Sequence, residues 1–159
     1  MIRLKNIIEI LTRNKETIST MESCTGGAIV NEITNVPGAS EIIRFSAVTY
    51  SNEYKIKMGV SKELIDKYTV YSQEVANDMS KVISNYTASD YGIGITGKLN
   101  RADINNPYGK DNIVYISIYS KKEDKFYNAT VECTYELRKD NKELVCNTVV
   151  FLLNSILGK

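Results

Sequence analysis

Apolar residues recur along the chain with two different spacings, and the alternation between these spacings predicts both helices and strands. Near the N-terminus, four apolar residues fall on one side of a helix over residues 3–13. A short apolar run at 17–22 predicts a buried strand, and residues 28–35 return to the helical spacing. Pro37 and Gly38 follow directly, and we expect them to end that helix.

The same alternation continues through the rest of the chain. Residues 42–50 are rich in β-forming side chains and predict one strand or two short ones, and the glycine-punctuated run 91–97 predicts a central strand. Residues 98–111 are polar and predict an exposed loop. The remaining predicted elements are three helices that begin near residues 51, 61 and 72, a hairpin of strands 113–119 and 125–133, and a final helix over 140–157 with Leu144, Thr148, Phe151, Leu152 and Ile156 facing inward.

Helices that alternate with strands predict an α/β fold, in which helices cover both faces of a mixed sheet. We therefore expect a three-layer α/β/α sandwich. No internal repeat or low-complexity linker divides the chain, so residues 1–159 are expected to form a single domain. That length is sufficient for a hydrophobic core without support from metal or disulfides.

Composition and charge narrow the classes of function. The chain has 20 basic and 19 acidic residues, and this balance argues against the concentrated basic face that non-specific nucleic-acid binding needs. No apolar run approaches the roughly 20 residues that span a bilayer, and charges interrupt the N-terminal helix, which is unlike a signal peptide. Three widely spaced cysteines suit reduced thiols. We expect a cytoplasmic protein that binds neither nucleic acid nor membrane.

Histidine is absent from the sequence, and this absence limits the possible chemistry. Ser-His-Asp and Cys-His catalysis within one chain are excluded, as are metal centres built on histidine. Any general base must be a lysine, a tyrosine, a carboxylate or water.

A turn between a predicted strand and a predicted helix, Thr20–Gly27, holds the best candidate nucleophile, Ser23. A hydroxyl there would lie at the sheet edge beside free N–H groups at the start of a helix, which favour an anion or a developing oxyanion. The turn lacks the Gly-x-Ser-x-Gly pattern of a hydrolase elbow. The structural alternative is that Ser23 and Thr25 only cap the helix, while Gly26 and Gly27 allow close packing.

Other residues could complete a site around Ser23. Lys55 is the natural base, because a desolvated lysine can lose its proton near neutral pH, although most lysines on helices are simply solvated. Cys24 could be the nucleophile instead, since a helix N-terminus lowers thiol pKa, or it could be an inert buried thiol. Tyr50 could orient substrate or relay a proton, or be a half-buried ring. Thr96 lies at the end of the predicted central strand and is expected near Ser23, or only belongs to a strand-ending turn.

Several segments together carry a resemblance to a known family. They are Glu22–Gly27, Val36–Ser40, Val48–Lys55, Gly59-Val60, Ser72–Ala76 and Asp90–Gly97. In these residues and their order, the chain closely resembles the CinA C-terminal domain family over nearly its whole length. Similar members are amidohydrolases that convert nicotinamide mononucleotide and water to nicotinic acid mononucleotide and ammonia, in pyridine-nucleotide salvage. The resemblance implies an α/β/α sandwich, commonly assembled as a homo-oligomer, that requires no metal or other cofactor.

The resemblance also implies roles for individual residues. Ser23 is expected to be the nucleophile and Lys55 the base that takes its proton, with Tyr50 as a third catalytic residue. The N–H groups of the turn would stabilise the oxyanion, and the substrate is expected to be a small nucleotide. The residues expected to contact it are Thr25, Gly26, Gly27, Asn52, Thr96 and Gly97.

The second half of the chain departs from the family pattern. Residues 98–103 replace a glycine-rich loop, 69–72 replace Gly-Ala-Val-Ser, Lys139-Asp140-Asn141 replaces Gly-Asp-Arg, and Val145 stands where a second arginine is usual. The alternative function is therefore a weak or silent relative that binds a nucleotide or another protein. The candidates to replace the lost substrate contacts are Lys98, Arg101 and Arg138.

Overall fold

The computed structural model describes residues 2–159, and its helices and strands follow the alternating order that the sequence predicts. The helices are α1 (Ile2–Asn14), α2 (Ala28–Thr34), α3 (Asn52–Lys57), α4 (Lys62–Tyr68), α5 (Gln73–Thr87) and α6 (Arg138–Leu157). The strands are β1 (Ile18–Glu22), β2 (Ser46–Val48), β3 (Tyr91–Gly97), β4 (Ile113–Ser120) and β5 (Lys125–Glu132). A 3-10 turn spans Ala39–Glu41.

The strands form one mixed sheet, as predicted, and their order is β2-β1-β3-β4-β5. β2, β1 and β3 are parallel, while β4 and β5 run antiparallel to their neighbours. Glu22, at the end of β1, is paired with Val48 of β2 and with Ile95 of β3. The carboxyl ends of the three parallel strands therefore meet at one edge of the sheet, which is where ligands bind in open α/β sheets.

Helices cover both faces of the sheet, which confirms the three-layer architecture. Side chains of alternate residues in a strand point to opposite faces, and Ile18 and Met21 of β1 accordingly belong to two separate hydrophobic clusters. The Ile18 cluster contains residues of α1, α2 and α6, and the Met21 cluster contains residues of α4 and α5. β3 packs so closely against α5 that a Cβ on Gly92 or Gly94 would collide with carbonyl oxygens of that helix. The absence of a side chain at these two glycines allows the close packing.

The predicted apolar face of α1 is confirmed. Leu4, Ile7, Ile8 and Leu11 are each at most 6% exposed and pack in the Ile18 cluster. Burying an aliphatic side chain of this size contributes roughly 1.5–3 kcal/mol, so this one face accounts for a substantial part of the stability of that layer.

The segment at 42–50 differs from its prediction, since only Ser46–Val48 is a strand. Ile42 instead closes the 3-10 turn, and its carbonyl accepts a hydrogen bond from the Ile18 N–H at 2.8 Å. The β-forming residues before Ser46 are therefore held by a turn and by burial of Ile42 rather than by sheet pairing.

The inward face predicted for α6 is partly wrong. Phe151 is 62% exposed, whereas Val145, Val149 and Leu153 are at most 1% exposed. Residues 149–153 are all apolar, so periodicity did not single out the side that faces the core. Among residues 2–159, no helix combines the length and the apolar character needed to cross a membrane.

Candidate active site

A cleft of about 1010 Å³ opens at the carboxyl ends of the three parallel strands. Ser23 follows β1 directly, Tyr50 follows β2 by two residues, and Gly97 is the last residue of β3. All three line the cleft. The sequence segments that we expected to carry chemistry thus meet at one place, because the parallel strands end side by side.

Ser23 and Lys55 are in direct contact at the base of this cleft. The Nζ atom of Lys55 lies 3.0 Å from the Oγ atom of Ser23, at hydrogen-bonding distance. The same nitrogen donates a hydrogen bond to the main-chain carbonyl of Thr49 at 2.7 Å. Ser23 is 6% exposed and Lys55 only 2% exposed, so the pair is largely shielded from water.

Local sequence explains why Lys55 points inward. The Ser51 side chain caps α3 by accepting a hydrogen bond from the Tyr54 N–H at 3.2 Å, and this cap starts the helix a short turn after β2. Lys55 is the only buried residue of the six in α3. Because the Lys55 side chain is 2% exposed, the solvated-lysine alternative is ruled out.

Burial changes the proton affinity of Lys55. Loss of hydration lowers its pKa from 10.5 to about 8, and the negative charge of Asp103 opposes that shift only in part. In the described part of the chain, no carboxylate lies within 4 Å of Lys55. A pKa of about 8 leaves roughly a tenth of the side chains neutral at pH 7, and those are able to accept a proton.

Cys24 is not arranged as a nucleophile. Burial raises the pKa of its thiol to about 12, and the residue is 6% exposed. The thiol therefore stays protonated at neutral pH, and the thiolate is the reactive form. This favours the interpretation of Cys24 as an inert buried thiol.

The N-terminus of α2 was expected to offer free N–H groups to an anion. This prediction is wrong for two of these groups, because the Glu22 side chain already accepts their hydrogen bonds. The buried carboxylate of Glu22 accepts hydrogen bonds from the N–H groups of Ile29 and Val30, both at 3.0 Å. Thr25 donates its hydroxyl to the same carboxylate at 2.7 Å. Neither Ser23 nor Thr25 caps α2, and these two N–H groups are not free to hold an anion.

Three N–H groups of the turn remain available. Gly26 donates to the Ser23 carbonyl and Ala28 to the Thr25 carbonyl, whereas the N–H groups of Cys24, Thr25 and Gly27 have no acceptor within residues 2–159. Cys24 and Thr25 follow Ser23 directly in the chain. Their N–H groups are therefore the candidate main-chain donors for charge that develops on a bound carbonyl oxygen.

The other residues expected to contact substrate divide into two groups. Asn52 and Gly97 line the cleft, whereas Thr25, Gly26, Gly27 and Thr96 do not. Thr96 is fully buried and donates its hydroxyl to the Val70 carbonyl at 2.9 Å. A Cβ on Gly26 would lie 3.4 Å from the Nζ of Lys142, and one on Gly27 would lie 3.5 Å from the Val48 side chain. These four residues support the turn and the strand end rather than the cleft wall.

Tyr50 lies at the rim of the cleft, apart from the buried pair. It is 64% exposed, and its hydroxyl accepts a hydrogen bond from Nη2 of Arg138 at 3.3 Å. It makes no hydrogen bond to Ser23 or Lys55. This location suits substrate orientation better than a proton relay.

The 98–111 segment forms no helix or strand, as predicted, but it builds one wall of the cleft. Asp103 accepts a hydrogen bond from the Tyr71 hydroxyl, and Asn106 accepts one from the amide of Asn52 at 3.0 Å. Sequence reasoning missed Tyr71 and Asp103, because neither residue belongs to a pattern that predicts their contact.

The positions at which the family usually has arginines are buried in this chain. Asn141 and Val145 are both 0% exposed. Asn141 accepts a hydrogen bond from the Tyr135 N–H at 3.1 Å and donates one to the Tyr135 carbonyl at 2.8 Å. Both residues therefore support the structure and cannot reach a ligand in the cleft.

Comparison with known proteins identifies relatives over nearly the whole chain. The model of the CinA C-terminal domain matches residues 3–157. A CinA-like protein of Endomicrobium trichonymphae is 35% identical over 150 residues, which cover 91% of this chain but 33% of that protein. The chain thus spans about a third of the length of this relative.

Solved structures share the fold. A CinA superfamily protein from Klebsiella pneumoniae superposes with a TM-score of 0.86 at 18% identity, covering 98% of this chain and 96% of that one. The competence/damage inducible protein CihA from Agrobacterium tumefaciens gives a TM-score of 0.82 at 20% identity, covering 99% and 96%. The match to the family model, the sequence relative and the shared fold agree, and the chain belongs to the CinA C-terminal domain family.

Proposed function

We propose that this protein is an amidohydrolase that converts nicotinamide mononucleotide, or a similar carboxamide, to the corresponding acid and ammonia. The observation that carries the proposal is the contact of 3.0 Å between Lys55 Nζ and Ser23 Oγ at the base of an open cleft. A hydroxyl needs a base to become a nucleophile, and a buried lysine with a lowered pKa is such a base.

The proposed reaction begins when neutral Lys55 accepts the Ser23 hydroxyl proton and Oγ attacks the carboxamide carbon. The N–H groups of Cys24 and Thr25 stabilise the oxyanion of the tetrahedral intermediate. The carbon–nitrogen bond then breaks as Lys55 returns the proton to the leaving nitrogen, which departs as ammonia. Water attacks the acyl ester and Lys55 takes its proton. The Ser23 oxygen recovers that proton as the acid leaves.

The cleft is suited to a substrate of this size and shape. Its volume of about 1010 Å³ is at the upper end of the usual range of roughly 300–1,000 Å³ for small-molecule sites. Tyr50, Tyr54 and Tyr71 line it, and aromatic faces of this kind can pack against a pyridine ring. The family resemblance supports the same substrate, together with a homo-oligomer that acts in the cytoplasm.

One observation favours a second candidate function. Because Asn141 and Val145 are buried, the substrate contacts that arginines would make at these positions are lost. A relative that binds a nucleotide without hydrolysing it would need only the cleft. The two functions differ in turnover. Binding of nicotinamide mononucleotide without ammonia release would favour the second.

The test is an ammonia-release assay with nicotinamide mononucleotide. The wild-type protein should release ammonia, and Ser23→Ala should lose at least about a thousandfold in rate. The Thr25 hydroxyl of the same turn cannot replace Ser23, because it donates to Glu22 and does not line the cleft. Ser155→Ala is the matched control, since Ser155 is exposed on α6 and far from β1 in the chain, and it should keep the wild-type rate. A wild-type protein that releases no ammonia, or a fully active Ser23→Ala variant, would overturn the proposal.

A further inference from the structure

Three positively charged side chains line the cleft, and one of them is already neutralised. These are Lys98, Arg101 and Arg138. The Lys98 side chain is 2% exposed and forms an ion pair with Asp111 at 3.1 Å, with its nitrogen 5.0 Å from the centre of the Tyr71 ring. Its charge is therefore matched within the protein, so it does not supply a free charge for a ligand.

The two arginines are different. Both are exposed, and within residues 2–159 neither has a carboxylate within 4 Å. The contact of 3.3 Å from Arg138 to the Tyr50 hydroxyl orients that guanidinium without neutralising it. The charges of Arg101 and Arg138 thus remain unmatched at the cleft.

Asp103, the acidic residue of the cleft wall, does not neutralise Arg101 or Arg138. The carboxylate of Asp103 accepts hydrogen bonds from the Tyr71 hydroxyl, from the Asn105 N–H at 2.9 Å and from the Asn106 amide at 3.4 Å. It is therefore held by neutral donors of its own wall rather than by an arginine. Apart from the buried Lys55 at its base, the cleft carries two unmatched positive charges against this one carboxylate.

Buried Asn141 fixes the two segments that carry the arginines. Its Nδ2 donates to the Tyr135 carbonyl at 2.8 Å and to the Leu99 carbonyl at 3.5 Å. Asn100 donates to the same Tyr135 carbonyl at 3.1 Å. The loop that leads to Arg101 and the segment that leads to Arg138 are thereby joined. The residue that replaces a family arginine thus holds in place the segments that carry the two exposed ones.

We infer that Arg101 and Arg138 bind the phosphate group of the substrate and make this cleft selective for a phosphorylated carboxamide over its neutral nucleoside. A guanidinium donates paired hydrogen bonds that match the geometry of phosphate oxygens, and the interaction is strong where the arginine is held in position. This assignment rests on the proposed function for the identity of the carboxamide. Phosphate selectivity at the cleft can still be measured without turnover.

The test is calorimetric binding to Ser23→Ala, with nicotinamide mononucleotide and nicotinamide riboside as the two ligands. Ser23→Ala should bind the mononucleotide roughly tenfold to a hundredfold more tightly than the riboside. Adding Arg138→Gln or Arg101→Gln should reduce that preference by about tenfold, and the two together should abolish it. Arg13→Gln, at the exposed end of α1, is the matched control and should leave the preference unchanged.

Equal binding of the two ligands to Ser23→Ala, or no binding of either, would overturn the inference. A preference that survives loss of both arginines would also overturn it. The proposed function fails separately: a wild-type protein that prefers the mononucleotide but releases no ammonia would contradict hydrolysis and leave the phosphate site standing.

Discussion

The Nζ atom of Lys55 lies 3.0 Å from the Oγ atom of Ser23, although the two residues are 32 positions apart in the chain. The contact forms because β1 and β2 are parallel neighbours and α3 begins at Asn52, a short turn after β2 ends at Val48. Lys55 has lost nearly all its hydration and has only a hydroxyl and a carbonyl in exchange. An arrangement that costs stability in this way is typical of a site shaped for chemistry.

The rate of ammonia release should depend on pH through Lys55. Its lowered pKa of about 8 means that the neutral, basic form grows about tenfold per pH unit below pH 8 and levels off above it. We therefore expect kcat/KM to rise from pH 6 to about pH 8 and then reach a plateau. Initial rates between pH 6 and pH 9.5 measure this, and a profile that is flat or falls over that range would contradict the role of Lys55 as base.

Removing the buried charge should stabilise the protein at neutral pH. The pKa of Lys55 is lowered on folding, so the unfolded chain binds the proton more tightly and the charged form costs stability below pH 8. The shift from 10.5 to about 8 corresponds to a cost of about 3 kcal/mol, which disappears as the pH rises from 8 to 10.5. Lys55→Met should therefore raise the free energy of unfolding at pH 7 by about 1–3 kcal/mol, after its lost hydrogen bonds are counted.

Urea unfolding at pH 7 and pH 10 distinguishes the charge from other effects of this substitution. The advantage of Lys55→Met should be largest at pH 7 and small at pH 10. Lys57→Met is the control, because Lys57 pairs with Glu53 at the exposed face of the same helix and should change stability by less than about 1 kcal/mol. A Lys55→Met variant equally destabilised at both pH values would show that burial of the charge has no such cost.

Glu22 should be essential to the turn that presents Ser23. Its buried carboxylate accepts hydrogen bonds from two N–H groups of α2 and from the Thr25 hydroxyl. Glu22→Ala leaves these donors without partners, and we expect a loss of about 2–4 kcal/mol in stability. Thermal unfolding measures this. Glu32→Ala, at an exposed position of the same helix, should change it little, and equal effects of the two substitutions would contradict the assignment.

Asn141 should act on substrate binding through the segments that it joins. Its hydrogen bonds to Tyr135 and Leu99 hold the 98–101 and 135–138 backbone together. Asn141→Ala should raise KM for nicotinamide mononucleotide several-fold while kcat changes less, because Ser23 and Lys55 are held by other elements. Asn147→Ala is the control at an exposed position of α6. A fall in kcat at unchanged KM would indicate a different role.

The sequence predicted the fold, and together with the family resemblance it offered Lys55 as the base for Ser23, with a solvated lysine as the alternative. Strand and helix periods are local and repeat along the chain, and the absence of histidine leaves few residue types able to serve as base. Contact between Ser23 and Lys55 agrees with that expectation. Their catalytic roles stay a prediction until activity is measured.

What the sequence did not predict depends on contacts between distant segments. The α2 N-terminus was expected to hold an anion, but the Glu22 carboxylate accepts the hydrogen bonds of its N–H groups. A glutamate at the end of a strand has no sequence pattern that predicts this contact. Thr96 was expected near the ligand, yet its hydroxyl is turned to the Val70 carbonyl from another part of the chain. Burial and hydrogen-bond partners of this kind follow only from the assembled layers.

The measurement that tests the central claim most directly compares ammonia release from nicotinamide mononucleotide by Lys55→Met and Lys57→Met. Both substitutions remove one lysine charge from α3, but only Lys55 contacts Ser23. We predict that Lys57→Met keeps the wild-type rate and that Lys55→Met loses about 10²–10⁴-fold, the usual contribution of a general base. A Lys55→Met variant that releases ammonia at the rate of Lys57→Met would contradict the account.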